Sequence, residues 1–556
     1  MKRLLIFLVF VTTVRLNATT PPPIPANLPS IAGSPIPAVA IPAFVPPQFF
    51  TLAALNHINL SGSVYYALRR ALPRTAAEGV QVIPQRATEA VADQNFKSPK
   101  EALAGPRLSL ETNVTGTVLY NVSASNDTNE DIEPAISTMN YAGIDWTVTA
   151  ATKFVTDPAY GANTNRFYYS RATGSLPPSF SGPLPMPMPV GFRHASDPYI
   201  SGNPYGSGLS PQTFYCSGIL HNDAFNQANA VAVWRSIDGG NNWQGPATIS
   251  EPDVTRFYDK PAITVSYSPS TLGRVFVAWT DVATTNVNFS TIKLARSCAG
   301  GATFPNVIDV AGPVNASYPQ VMVDNVNNRI YVLYLNHGAR TLQMATVIDG
   351  TNCTDWPALF ATEDVTGARN LITDLDPAAN QLLNRQVRAI TTPVARFNFA
   401  ARRIGVVWHE RESANSTLTD AYISTKSLNV GGTWTAPKIL TDQSGQDQFM
   451  PALDSEPSGN WVVSFYNRAD DVNNVYYRSY YRAFSPDGQT PLTTPEAWIS
   501  SIQYDPEWQP SNQDGGLGFI GDYQDIWQWT FLGGNSRWNA AWIRTSPSDN
   551  MVSIIK

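Results

Sequence analysis

The chain is poor in cysteine, histidine and charge. Only three cysteines occur among 556 residues, Cys216, Cys298 and Cys353. Their wide spacing does not suit a metal site, and they allow one disulfide with one thiol left over. Five histidines are too few, and too scattered, for a histidine zinc centre. Charged residues make up 14 % and the net charge is −6, so no basic stripe exists that nucleic-acid binding would need. After the N-terminus no apolar run is long enough for a membrane-spanning helix. Amphipathic helical periodicity between strand-like segments is missing too, which excludes a parallel β/α array. No contiguous D-x-D-x-D-G loop supports calcium. Neither a metal nor another cofactor is therefore expected.

What the chain has is aromatic residues, turns and a repeat. Trp and Tyr number 14 and 23, which suits stacked sheets and carbohydrate surfaces alike. Val231–Pro246 opens with strand-like alternation and then turns through Ser236, Asp238, Gly240 and Trp243. Asp238 and Ser236 can accept hydrogen bonds inside the loop, the glycines permit positive φ, and Trp243 supplies an apolar anchor. The same offsets from a serine give Ser427, Asn429, Gly431 and Trp434, and more loosely Ser297, Gly301 and Phe304. Ser485 and Ser170 begin weaker echoes. The serines step by 66, 61, 130 and 58 residues, as if one copy has decayed. A turn recurring at that period predicts an array of small sheets.

A second marker keeps phase with the first. Pro134, Pro198, Pro261, Pro319 and Pro451 each precede a short apolar segment, with one double interval that Arg388-Ala389-Ile390 is expected to fill. Proline is tolerated where a strand begins, so each should open an innermost strand. A more apolar second strand follows each, such as Val275–Trp279 or Ile404–Trp408. The last repeat, from Gly521 to Ile555, has room for three strands, and Thr117–Val122 can supply a fourth and close a ring. The fold class is thus all-β, a propeller of four-stranded blades, with seven favoured over six.

The repeated turn resembles the Asp-box (BNR-repeat) of the sialidase-like β-propellers, S-x-D-x-G-x-T-W between the third and fourth strands of a blade. The resemblance covers residues 106–556. It implies a working face at the channel mouth where first strands start and second strands end. Glu133, Asp197, Asp259, Lys260, Asp447 and Asp522 fall at the starts. Asp281, His337, His409, Glu410, Arg468 and Arg544 fall at the ends. By the same resemblance Arg411, Arg468 and Arg544 form a carboxylate clamp, Tyr523 or Tyr466 is the nucleophile with Glu410 as its partner, and Asp259 or Asp281 is the acid. Glu133 and Asp522 join the ligand-binding set. The family's Arg-Ile-Pro reads Glu133-Pro134-Ala135 here, an acid where the clamp needs a base. Two functions stay open: a glycosidase with altered substrate chemistry, and a non-catalytic propeller that binds glycans or cell-surface ligands. Rim ion pairs such as Lys260 with Asp259, or Arg468 with Asp470 or Asp471, are the purely structural alternative.

The N-terminus has its own signals. Met1-Lys2-Arg3 followed by Leu4–Val11 has the order of a secretory signal, with cleavage near Ala18. Residues 1–18 are thus expected to direct secretion, extracellular or periplasmic. Residues 19–105 begin with a proline-dense spacer, and a propeptide and a strap against the propeller are both open for the remainder.

Overall fold

The computed structural model describes residues 118–555 except for short internal stretches, the longest being 374–388. The signal and spacer segments, 1–105, lie outside the described residues. Seven four-stranded antiparallel sheets follow one another as the blades of a ring, and the described residues contain no helix. Blades 1 to 6 are each built from four consecutive strands, so the innermost strands are β2 (Glu130–Tyr141), β6 (His194–Gly202), β10 (Arg256–Val265), β14 (Ala316–Asp324), β18 (Val394–Asn398) and β22 (Gln448–Ser455). Blade 7 has β26 (Asp525–Thr530) innermost, then β27 (Ser536–Thr545) and β28 (Ser548–Ile555), with β1 (Val118–Ser123) as its outer edge. The first and last strands therefore share one sheet, Asn121 opposite Ser553.

The apolar core lies between blades. Trp234, Phe167 and Phe192 pack blade 2 on blade 1, and Trp408 packs with Leu333 and Met344 in the seam between blades 4 and 5. Second strands run apolar because both their faces are buried: Val275–Val282, Ile330–Leu335 and Trp461–Tyr466 are buried throughout.

The serine-led turns stand where the repeat places them, after the third strand. Ser236 Oγ accepts the Gly240 N–H at 2.8 Å, and Asp238 accepts the Asn242 N–H at 2.9 Å. Burial pushes the Asp238 carboxyl up, but hydrogen bonds from Asn242 and Ser236 outweigh it and hold the group below its usual range. Ser297 repeats the bond to Gly301 at 2.9 Å, and Ser427 accepts the Asn429 N–H at 3.3 Å. Each anchor packs on the preceding blade. Trp243 meets Tyr169 edge to face, Phe304 joins Tyr215 and Val231, and Trp434 lies against the core of blades 4 and 5. The decayed copy belongs to blade 4, where buried Asp349 takes Arg274 and Arg296 at 2.7 Å each. Cys298, in the turn of blade 3, is bonded to Cys353 in that same blade-4 connection, and Cys216 is the buried thiol.

Three expectations need correction. Ser170 lies inside β4 (Gly161–Thr173), not in a turn, and its hydroxyl donates to the Ala124 carbonyl. The prolines do not open their strands. The strands begin about a turn earlier, and each proline sits in a bulge where two residues oppose one, as between Asp259 and Ala262. A bulge needs no N–H at that position, so proline is tolerated mid-strand. Blade 5 is opened by Val394 after Thr392-Pro393, not by Arg388-Ala389-Ile390; the long 374–388 stretch displaces the marker from its phase, and Arg388 is outside the described residues.

Candidate functional site

The bulges aim side chains. The residue before each proline has left-handed φ: Glu133 55°, Asp197 60°, Lys260 50°, Tyr318 54° and Met450 49°. That conformation is strained for a residue with a side chain, by roughly 1–3 kcal/mol each. Repeated in five blades, it turns these side chains from the blade faces to the axis. Gly521 answers in blade 7 with φ 97°, and its missing side chain leaves room for the Glu133 backbone.

At the axis these residues make one buried cluster. The Lys260 ammonium donates to Asp197 at 2.8 Å and pairs with Asp522 at 3.1 Å and Glu133 at 3.4 Å. It also stands 4.7 Å from the Tyr523 ring and 5.6 Å from the Tyr318 ring. Burial favours the neutral amine, but Asp197, Glu133 and Asp522 outweigh it and hold the Lys260 pKa well above its ordinary value. Three carboxylates around one ammonium sum to −2. The cavity beside the cluster, lined by Asp197, Lys260, Tyr318 and Tyr523 among others, has a volume of ≈ 30 Å³. That admits about two waters and no sugar ring.

The expected site residues divide among several places. Glu133, Asp522 and Tyr523 meet at Lys260. Lys260 does not take Asp259 as its partner in the ion cluster; Asp259 is buried one residue earlier in β10, opposite Thr280. Asp281 pairs with Arg256 at 2.6 Å and with Lys293 at 3.6 Å. Arg468 pairs with Asp447 at 3.0 Å rather than with Asp470 or Asp471, because the first-strand acid comes nearer than those in its own loop. Arg411 donates to the Ser416 carbonyl at 2.8 Å, and Arg544 faces Asp549 across the β27–β28 ladder. Tyr523 donates to the Pro198 carbonyl at 2.8 Å, and burial, with Glu133 and Asp197 nearby, raises its phenol pKa well above the ordinary value. The Tyr466 hydroxyl accepts the Ile543 N–H at 2.9 Å. His337 and His409 are neutral, burial lowering each to a pKa of about 4.

Glu410 has neighbours that sequence reasoning missed. On β19 (Arg403–Arg411) it stands opposite Asp420 of β20 (Thr419–Ser427), so the two carboxyls share a blade face. Arg369 grips Glu410 with both Nε and Nη2, and Trp408 Nε1 donates to it at 3.0 Å. Two residues along the ladder, Trp408 and Tyr422 stack at 5.8 Å, and the Arg369 guanidinium lies 5.1 Å from the Tyr422 ring. Burial, helped by the charge of Glu412, pushes the Asp420 pKa up to about 6. Arg369 and Tyr422 are half-buried, and Glu412 is exposed. The seam between blades 4 and 5 thus holds two carboxyls in unlike environments. Asp420 had one available signal: it lies ten residues after Glu410, a hairpin's length, on the same strand parity.

A seven-bladed ring of four-stranded sheets, closed by its own end strands, defines the chain as a β-propeller. No protein-family model and no curated protein matches it. Solved structures similar to it include the GH93 α-L-arabinofuranosidase of Fusarium graminearum in complex with arabinobiose (11 % identity, covering 78 % of this chain and 96 % of that one, TM-score 0.37). AofleA from Arthrobotrys oligospora is another (12 %, 71 % and 93 %, TM-score 0.37), as is an exo-1,5-α-L-arabinanase from a bovine ruminal metagenomic library (11 %, 56 % and 99 %, TM-score 0.31).

Proposed function

We propose that the chain is a glycan-processing propeller whose chemistry is done by Glu410 and Asp420 in the seam between blades 4 and 5. The observation that carries this is the pair itself. Glycoside hydrolysis needs one carboxyl protonated and one ionised, held apart by environment. Asp420, with its raised pKa, is the acid that protonates the leaving oxygen. Glu410, held by the Arg369 guanidinium, is the carboxylate. Cross-strand register makes the two residues neighbours on one blade face, with Cβ atoms about 5 Å apart, so both carboxyls can reach one glycosidic bond. Glu410 then attacks the anomeric carbon while Asp420 gives its proton to the departing hydroxyl. Water, deprotonated by Asp420, releases the sugar and restores both groups.

The Asp-box kinship with sialidases belongs to this proposal, but the sialidase mechanism does not. Tyr523 is buried, keeps its proton and donates a hydrogen bond to the Pro198 carbonyl. Arg468 and Arg411 are engaged within blades 5 and 6. Secretion is also part of the reading, supported by the Cys298–Cys353 disulfide, a bond that persists in oxidising compartments. A second reading, a binding propeller without turnover, is favoured by one observation: the Glu410 side chain is only 3 % exposed beneath Arg369.

A panel of neutral and sialylated aryl-glycosides tests both. Turnover of a neutral glycoside that falls about 10²–10⁴-fold in Glu410→Gln and Asp420→Asn, but little in Tyr523→Phe, supports the carboxylate pair. Sialoside turnover abolished by Tyr523→Phe would overturn it, and no turnover on any member leaves the binding reading.

A further inference from the structure

The buried charge at the axis is uneven. Asp197, Asp522 and Glu133 surround the Lys260 ammonium at 2.8, 3.1 and 3.4 Å, three negative charges against one positive. Charge held away from water is strongly disfavoured unless it is countered. The Tyr523 phenol registers the excess: burial, then the charges of Glu133 and Asp197, keep its pKa well above the ordinary value. A second positive charge close by would relieve the cluster.

The cavity of ≈ 30 Å³ beside the cluster has room for that charge. Its wall includes Asp197 of β6, Thr392 just before β18 and Gln524 just before β26, so blades 2, 5 and 7 each bring an oxygen-bearing side chain to it. All three residues are buried. Gln524 Nε2 donates to the Met450 carbonyl at 2.8 Å, which fixes the amide, since reversing it would set its oxygen against that carbonyl. Its Oε1, an acceptor, then has no hydrogen-bond partner among the described residues. Buried polar atoms are rarely left so, and an acceptor beside excess negative charge calls for a cation. Thr392 Oγ1 donates to the Asp522 carbonyl at 2.6 Å and keeps lone pairs to offer. The Tyr318 and Tyr523 rings also line the cavity, and ring faces attract cations.

We propose that this cavity binds a small monovalent cation between Asp197, Thr392 and Gln524, tying blades 2, 5 and 7 together at the axis. Size and ligands decide the class. The volume is that of about two waters, so the ion enters stripped of most of its shell, with a water beside it. Potassium and ammonium, which hold their water less tightly than sodium, are favoured. Calcium takes roughly six to eight oxygens, several of them carboxylate. Among the described residues Asp197 is the one acid on this wall, and no group of three acids, histidines or cysteines is arranged to hold a metal. A divalent ion is therefore set aside. The site does not depend on the hydrolytic reading and stands if that reading fails.

The test uses the full chain at neutral pH and constant ionic strength. Choline chloride is the reference salt, because choline is too large for the cavity. Potassium, ammonium and sodium chlorides replace it stepwise while thermal unfolding is followed by tryptophan fluorescence. A cation held only by the folded ring raises the midpoint as its concentration climbs past Kd. That rise should appear with potassium and ammonium and be smaller with sodium. Gln524→Leu should weaken the apparent affinity about tenfold or more, the loss of one buried acceptor, and Asp197→Asn should abolish the response. Crystals grown in rubidium chloride should show an anomalous-scattering peak in the cavity beside Asp197 and Gln524. Midpoints that match in choline and all three test salts, a folded Gln524→Leu chain with the wild-type salt response, or a cavity without rubidium would overturn the assignment.

Discussion

Replacing Lys260 by methionine removes the ammonium that three buried acids share. Asp197, Asp522 and Glu133 lie 2.8, 3.1 and 3.4 Å from the ammonium, and their side chains are 0–1 % exposed. Breaking a buried ion pair costs about 3–5 kcal/mol. An independent route gives a similar figure. Without the ammonium at least one further acid must take up a proton to fold, and at pH 7 a carboxyl of ordinary pKa near 4 resists this by about 4 kcal/mol. The pH signature follows from the sign of that proton. The variant's acids have folded pKa values raised above those of the unfolded chain. Its deficit relative to wild type is therefore smallest below pH ~4 and grows at about 1.4 kcal/mol per unit and per proton as pH rises. Urea unfolding followed by tryptophan fluorescence, at a series of pH values, measures both quantities. Glu133→Gln is the companion: it lowers the cluster's net charge from −2 to −1 and keeps Lys260 doubly paired, so it should stay within about 1 kcal/mol of wild type. A Lys260→Met chain within 1 kcal/mol of wild type at pH 7, or one whose deficit does not shrink on acidification, would refute the electrostatic account of the axis.

Three further outcomes are expected. The raised Asp420 pKa of about 6 should appear as the basic limb of the kcat/KM profile, turnover falling as pH rises above it; a limb that persists in Asp420→Asn rules that residue out as the acid. Removing the Cys298–Cys353 disulfide, which spans 55 residues, should lower unfolding stability by up to about 4 kcal/mol; urea midpoints of Cys298→Ser/Cys353→Ser against wild type decide this. Gly521→Ala places a Cβ 2.7 Å from the Glu133 nitrogen at φ 97°, and should cost about 1–3 kcal/mol in the same assay.

The blades were legible because their signals are local. The serine-led turn carries its own hydrogen bonds within five residues, and the prolines mark a backbone feature that recurs at each blade. The same markers misled where the signal was not local. A proline says that no N–H is needed at a position, and a bulge satisfies that as well as a strand start does. Convergence of Glu133, Lys260 and Asp522 followed from strand order alone, since equivalent positions of a ring meet at its axis. Which acid Lys260 chooses depends on left-handed φ, and proline ordinarily disfavours that conformation in the residue before it. Asp420 was missed for a different reason. Its hairpin spacing from Glu410 hints at the register, but the burial that raises its pKa cannot be read from the hairpin's sequence. Arg369 is more hidden still, reaching Glu410 from the connection between two blades.

The seam where β1 meets β28 has a mechanical consequence. Ring closure rests on five paired positions between segments more than four hundred residues apart in the chain. A chain shortened past Ser123 would present the outer backbone edge of β28 unpaired. Such an edge is a template for any extended peptide, including β1 of another molecule, so truncation would convert a closed ring into a donor and acceptor of strands.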